Sequence, residues 1–107
     1  MQSKYKTSNE FALKHRESYV KRIYGLAWSV YLNMYKQQDG KCAICSKNIS
    51  IFSLRDITTS AQVDHDHSTK EVRGLLCHRC NCGLGNFNDN IELMERAKQY
   101  LEVFSHR

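Results

Sequence analysis

Apolar residues follow a helical period over the first third of the chain, lose it, and then alternate over two short runs. Val20, Ile23, Tyr24 and Ala27 stand at i, i+3, i+4 and i+7, the spacing of one helical face. This predicts a helix opening at Ser8 or Asn9, either of which can cap it, and closing near Tyr24, where Gly25 offers a stop. Residues 1–7 are polar and basic and are expected to fray. Trp28, Tyr31, Leu32 and Tyr35 repeat the stripe and predict a second helix over 28–38. Such a stripe is a core face first and a base-stacking platform second. Asp39-Gly40 ends the helix. Residues 48–60 read as a loop, with a short strand around 49–54. From Val63 to Leu76 two runs flank the polar turn Ser68-Thr69-Lys70-Glu71, which predicts a hairpin. A short helix over 82–87 is interrupted by Gly83 and Gly85. Asp89, three residues before Glu92, resembles a capping box. It predicts a last helix to about Phe104, with Ile91, Met94, Ala97, Leu101 and Phe104 facing inward.

These elements describe one small α+β domain. Residues 1–39 form N-terminal helices, 40–87 a stapled hairpin core and 88–107 a C-terminal helix. At 107 residues a core buries a modest share of the chain, so a structural metal would help it. The net charge of +5 is uneven: residues 1–55 carry ten Lys/Arg against three Asp/Glu, and 56–107 carry six against eight. A basic front half suits a polyanion such as nucleic acid, or simply a solvated surface. Lys14, Arg16, Lys21 and Arg22 fall largely on the surface of the first helix, where they are either solvated or laid along a DNA backbone. No apolar run approaches a membrane span, and the start MQSKYKTSNEF lacks a signal-peptide core. The expectation is an intracellular protein with no membrane partner and no small-molecule cofactor.

Five cysteines in such a setting do not read as a disulfide framework. Four form two Cys-x-x-Cys pairs, Cys42/Cys45 and Cys77/Cys80, separated by 31 residues. This is the spacing of a four-thiolate zinc site, closed and therefore structural. Cys82 is left over and is expected to be a small buried apolar residue. His78, inside the second pair, is expected to be exposed.

The hairpin carries the second candidate chemistry. Asp64 and Asn81 are oxygen donors at opposite ends of the unit that strand pairing could bring together. Hard oxygen ligands suit magnesium or manganese. His65 is a candidate general base. On an ideal strand it points away from Asp64, so it reaches the same site only if the strand twists or ends there. The other reading of DHDH is a polar hairpin whose aspartates and histidines decorate a surface.

CAIC (42–45), DHDH (64–67), RGLLC (73–77), Cys80-Asn81 and Leu84-Gly85 together resemble the recombination endonuclease VII family of phage nucleases. The lead-in YGLAWSVYLNMYKQQDGK (24–41) adds to the likeness. These are HNH, or His-Me finger, endonucleases with a ββα-metal core. The resemblance implies structural zinc on Cys42, Cys45, Cys77 and Cys80, and a catalytic divalent ion on Asp64 and Asn81. It implies His65 as general base, His67 as a second active-site histidine near the phosphate, and 5′-phosphate and 3′-hydroxyl products. Arg73, Lys70, Arg79, Lys21 and Arg22 are the candidate phosphate contacts. The alternative is a zinc-stapled nucleic-acid-binding module that does not cut.

Overall fold

The computed structural model describes residues 8–53 and 56–105. Among the described residues four helices and a two-stranded sheet follow in the order α1 (Ser8–Tyr24), α2 (Trp28–Gln37), β1 (Gln62–His65), β2 (Val72–Leu76), α3 (His78–Asn86), α4 (Ile91–Ser105). No helix among the described residues is long and apolar enough to cross a membrane. The strands pair antiparallel, as the alternating pattern predicts.

The core forms where α1 and α2 meet the sheet. Val20, Tyr31, Leu75 and Cys77 are its most buried side chains. Trp28 stacks on Tyr31 with ring centroids 5.2 Å apart, which makes these aromatics core. The turn after α2 uses two left-handed residues, Asp39 and Gly40. At Gly40 a Cβ would lie 3.2 Å from the Tyr35 hydroxyl, and that hydroxyl donates to the Ile49 carbonyl at 2.7 Å. Gln38 then acts as a missing strand beside β2. Its Nε2 donates to the Leu75 carbonyl at 2.8 Å and its Oε1 accepts from the Leu75 N–H at 2.9 Å.

The face of α1 differs from its expected stripe. Val20 is buried and Tyr24 half-buried, whereas Ile23 and Ala27 are exposed. The inward face is Ala12, Arg16 and Val20, spaced by four. Arg16 is therefore no surface cation: it is 8% exposed. Its guanidinium donates to the carbonyls of Ile51 (2.7 Å), Ala61 (3.2 Å) and Ser53, and to the Ser60 hydroxyl (3.2 Å). The described residues of the loop between Ser50 and Ala61 hold one isolated bridge, Ser50 to Ser60, where a strand around 49–54 was expected. Leu54 of that expected strand, like residues 1–7, lies outside the described residues. Arg16 organises this loop through its carbonyls, and no periodicity argument signals such a role. Arg16→Ala should destabilise the fold by about 2–4 kcal/mol, because several buried acceptors lose their donor at once. A thermal melt checks this, and a change below about 0.5 kcal/mol would show the clamp to be incidental.

α4 also departs from expectation. None of its residues is buried. Ile91 is 82% and Leu101 66% exposed, and Phe104 is exposed as well, while Met94 and Ala97 are half-buried. The helix stands on the surface with its apolar face largely uncovered. Helical periodicity reports an apolar face, not what the face meets. Its cap is Asn90, whose Oδ1 accepts from the Leu93 N–H at 3.0 Å, and not Asp89.

Candidate active site

The four paired cysteines converge. Cys42, Cys45, Cys77 and Cys80 bring their Sγ atoms within 4.8 Å of one another. Cys45 and Cys77 are 3.7 Å apart. A tetrahedral zinc with bonds of about 2.3 Å requires sulfurs about 3.8 Å apart, so the thiols could hold such an ion with little movement. Their electrostatics are those of a crowded site. Burial pushes the Cys42 thiol up, but the backbone N–H groups of Cys45, Cys77 and Ile44 outweigh it and bring the thiol down to about 6. Burial first, and then the neighbouring thiols, push Cys80 up to about 12. One thiolate forms readily and the crowding resists the next, which is the arrangement a dication relieves.

The same cysteines set the helix that follows. Cys77 is the N-cap of α3, its sulfur accepting from the Cys80 N–H at 3.5 Å. α3 therefore starts at His78, four residues before the expected Cys82. The Asn81 N–H donates to the Cys77 carbonyl at 3.0 Å, so Asn81 sits in the first turn of a helix anchored by the thiol cluster. Cys82 is exposed, against expectation. Its sulfur lies 3.5 Å from His78 Nε2, one helical turn back. His78 is half-buried and not exposed, since its Nδ1 contacts Gln62 Nε2 at 3.1 Å.

Gln62 links α3 to β1. Its Oε1 accepts from Asn81 Nδ2 at 3.2 Å. Gln62 and Asp64 are two residues apart on β1 and share a strand face. Asn81 is thereby tied to β1 two residues before Asp64, although no hydrogen bond joins Asn81 to Asp64 among the described residues. The bond to Gln62 orients the Asn81 amide and leaves its oxygen, the atom a cation needs, uncommitted.

β1 ends at His65, and the register shifts just there. Asp64 opposes Gly74 and His65 opposes Val72, leaving Arg73 as the extra residue of a bulge. A bulge adds twist and re-aims side chains, which is the condition under which His65 and Asp64 can serve one site. His65 is half-buried. Its ring packs between Tyr24, at 5.5 Å, and His67, at 4.7 Å.

The two aspartates of the DHDH run have different surroundings. Asp66 Oδ1 accepts from the Ser68 and Thr69 N–H groups at 2.8 and 3.0 Å. Hydrogen bonds from Thr69 and then Ser68 hold its carboxyl below the usual range. It builds the hairpin turn, in which Lys70 takes a left-handed conformation. Asp64 is buried and meets Arg73 instead. Arg73 Nε donates to Oδ2 at 2.8 Å and Nη2 to Oδ1 at 2.9 Å. Nη2 also reaches Asp89 Oδ2 at 3.2 Å. These hydrogen bonds, Asp64 first, reinforce the guanidinium's charge. Lys70, Arg79, Lys21 and Arg22 are exposed, as phosphate contacts require.

Asp89, Gln62 and Tyr24 are the site neighbours that sequence reasoning missed. Asp89 looked like a helix cap. It instead closes a surface cleft of about 570 Å³ with Asp66, His67, Ser68, Gly85 and Asn88. Asn88 and Asp89 both adopt left-handed backbone, which these two residue types tolerate. That pair was the available signal for a tight, side-chain-presenting turn. Asn81 opens on a second cleft of about 440 Å³, lined by residues of α1, β1 and α3 that include His15, Tyr24, Gln62 and His78.

The chain is 38% identical over 86 residues to the Gene 59 proteins of Mycobacterium phages L5 and D29, matching 79% of its own length. It spans about half the length of these curated relatives, 49% and 48%. It is also 28% identical over 109 residues to small ribosomal subunit protein uS4 of Nitrosomonas eutropha, covering 91% of this chain and 52% of that protein. The decisive match takes in the thiol cluster, the bulged hairpin and α3 together: the family model for recombination endonuclease VII fits residues 17–103, and the chain belongs to that family.

Proposed function

We propose that this chain is a metal-dependent DNA endonuclease of the HNH, or His-Me finger, type, with a ββα-metal core formed by β1, β2 and α3. The observation that supports the reading is the bulge at the end of β1, where Asp64 is buried against Arg73 and the His65 and His67 rings meet 4.7 Å apart. Gln62 ties Asn81 of α3 to the same strand. The donor set fits a hard cation, with one carboxylate and one amide oxygen. The guanidinium already paired with Asp64 indicates that the pocket accommodates positive charge.

The divisions of labour follow from residue chemistry. Cys42, Cys45, Cys77 and Cys80 hold a structural zinc, which fixes α3 and so Asn81. Asp64 and Asn81 hold magnesium or manganese, which when bound supplies charge stabilisation at the phosphate and the leaving oxygen. His65 takes a proton from the attacking water. His67 steadies the phosphate. Lys70, Arg79, Lys21 and Arg22 contact the DNA backbone and position it without reading bases. Cleavage leaves a 5′-phosphate and a 3′-hydroxyl.

The exposed basic residues Lys21, Arg22, Lys70 and Arg79 also suit a second reading, a zinc-stapled nucleic-acid-binding module that does not cut. Such a module has no need of Asp64, His65 and Asn81 together. Supercoiled plasmid incubated with the zinc-loaded protein should become nicked or linear with magnesium or manganese, and stay intact in a buffer lacking both. Binding without cutting in either metal would leave the module reading standing and end the enzymatic one.

A further inference from the structure

Arg73 is among the basic residues expected to touch phosphate, yet its guanidinium is turned onto two carboxylates of its own chain. It takes both oxygens of Asp64 in a two-pronged pair and reaches Asp89 with the same nitrogen. Bidentate pairs of this kind are directional and strong for their size. Asp64 has a side chain only 10% exposed, and Arg73 takes both of its oxygens. A divalent ion seeking Asp64 meets a carboxylate that is already neutralised and a cation beside it.

We propose that Arg73 is a resident counter-ion for the catalytic carboxylate, and that it exchanges Asp64 for a DNA phosphate when the divalent ion binds. The inference rests on Asp64 being a ligand of that ion. Arg73 is suited to the exchange by its place in the fold. It is the extra residue of the bulge, unpaired in the strand register, so its side chain can swing without breaking the hairpin ladder. Its side chain is 35% exposed, which leaves a path outward. A guanidinium also serves carboxylate and phosphate with the same fork of donors.

Two consequences follow. In the absence of DNA, the apparent affinity for the ion is reduced by the fraction of molecules in which Arg73 occupies Asp64. With DNA, ion and substrate must strengthen each other's binding by one common factor, because each favours the same outward Arg73.

The test measures free Mn²⁺ by electron paramagnetic resonance, titrating zinc-loaded full-length protein without DNA. Arg73→Gln should bind Mn²⁺ about tenfold more tightly than wild type, within the usual range of such couplings. Arg73→Lys keeps the charge but loses the fork and should fall between them. If Arg73→Lys matches wild type while Arg73→Gln binds more tightly, simple charge repulsion explains the gain and the exchange is overturned. If neither variant gains affinity, the exchange is likewise overturned. Zinc content and a thermal melt establish that each variant is folded. Should Arg73→Gln fail to fold, Arg73→Lys decides alone: a gain of a few-fold supports the exchange and none overturns it. Asp64→Asn separates this from the parent reading. It should abolish the tight Mn²⁺ site, and retention of that site would refute Asp64 as a ligand and the exchange with it. The DNA half is read in a His65→Ala background, where cutting is slowed about a hundredfold or more and binding is measured before the duplex is cleaved. With Mn²⁺ present, adding Arg73→Gln should lower the slope of log affinity against log salt by about 0.9, one phosphate contact. An unchanged slope would remove Arg73 from the phosphate.

Discussion

Cys77→Ser is expected to yield a chain that carries no zinc and does not fold cooperatively. Cys77 serves three structures at once. It is one of the four clustered thiols, it caps α3, and it is 1% exposed in the core beside Leu75 and Leu76. Serine could still cap a helix, so loss of the cap is not the source of the effect. The metal is. Structural zinc contributes about 10–16 kcal/mol of apparent binding energy in small zinc modules, against a typical net stability of about 5–15 kcal/mol for a whole domain. Removing it takes away stability equal to the entire margin. Cys45→Ser should act similarly although Cys45 is exposed, and a chelator should reproduce both results with the wild-type chain. Cys82→Ser is the control: Cys82 stands outside the cluster, against His78, and the variant should keep one zinc per chain and the same melt. Elemental analysis alongside circular dichroism decides the matter. A folded Cys77→Ser protein without zinc would show that the thiols are merely packed together.

The parts of the fold that sequence revealed are those written in local code. Gly25, Asp39-Gly40 and the STKE turn carry backbone requirements in their own residues, and the helices and hairpin end where these stand. The paired cysteines are legible because metal geometry restricts their spacing. What sequence did not reveal is the destination of long polar side chains. Arg16 and Arg73 look alike among the basic residues of the chain. One is buried against Ile51, Ser53, Ser60 and Ala61 and the other is paired with two carboxylates. Neither environment is local: Arg16 meets acceptors 35 to 45 residues away. Asp64 and Asp66 likewise differ only through their neighbours, and the turn geometry, not the DHDH string, separates them. The apolar face of α4 was legible, but its outward position was not, because periodicity says nothing of a partner. The bulge at Asp64 and His65 was legible only as a condition, that the strand must twist or end there.

His65→Ala is expected to lower the cleavage rate by about a hundredfold or more, the usual scale for loss of a general base. His65 holds no zinc thiol position and makes no hydrogen bond to Asp64 among the described residues, so zinc content, fold and DNA affinity should stay near wild type. The neighbouring rings sharpen the comparison. His65 packs against both Tyr24 and His67, and either histidine is close enough to be mistaken for the other in function. They differ in setting: His65 is half-buried at the strand end, whereas His67 is exposed and lines the cleft with Asp89. A proton acceptor should act in the turnover step, and a phosphate holder in substrate binding. His65→Ala should therefore reduce kcat with KM little changed, and His67→Ala should raise KM more than it lowers kcat. Both are measured at saturating metal on one duplex substrate, with zinc content matched. A His67→Ala enzyme that loses kcat as heavily as His65→Ala is expected to, beside a His65→Ala enzyme that cuts at the wild-type rate, would transfer the base to His67. Full activity in both variants would mean that neither imidazole moves the proton, and the hairpin histidines would then belong to packing around Tyr24 alone.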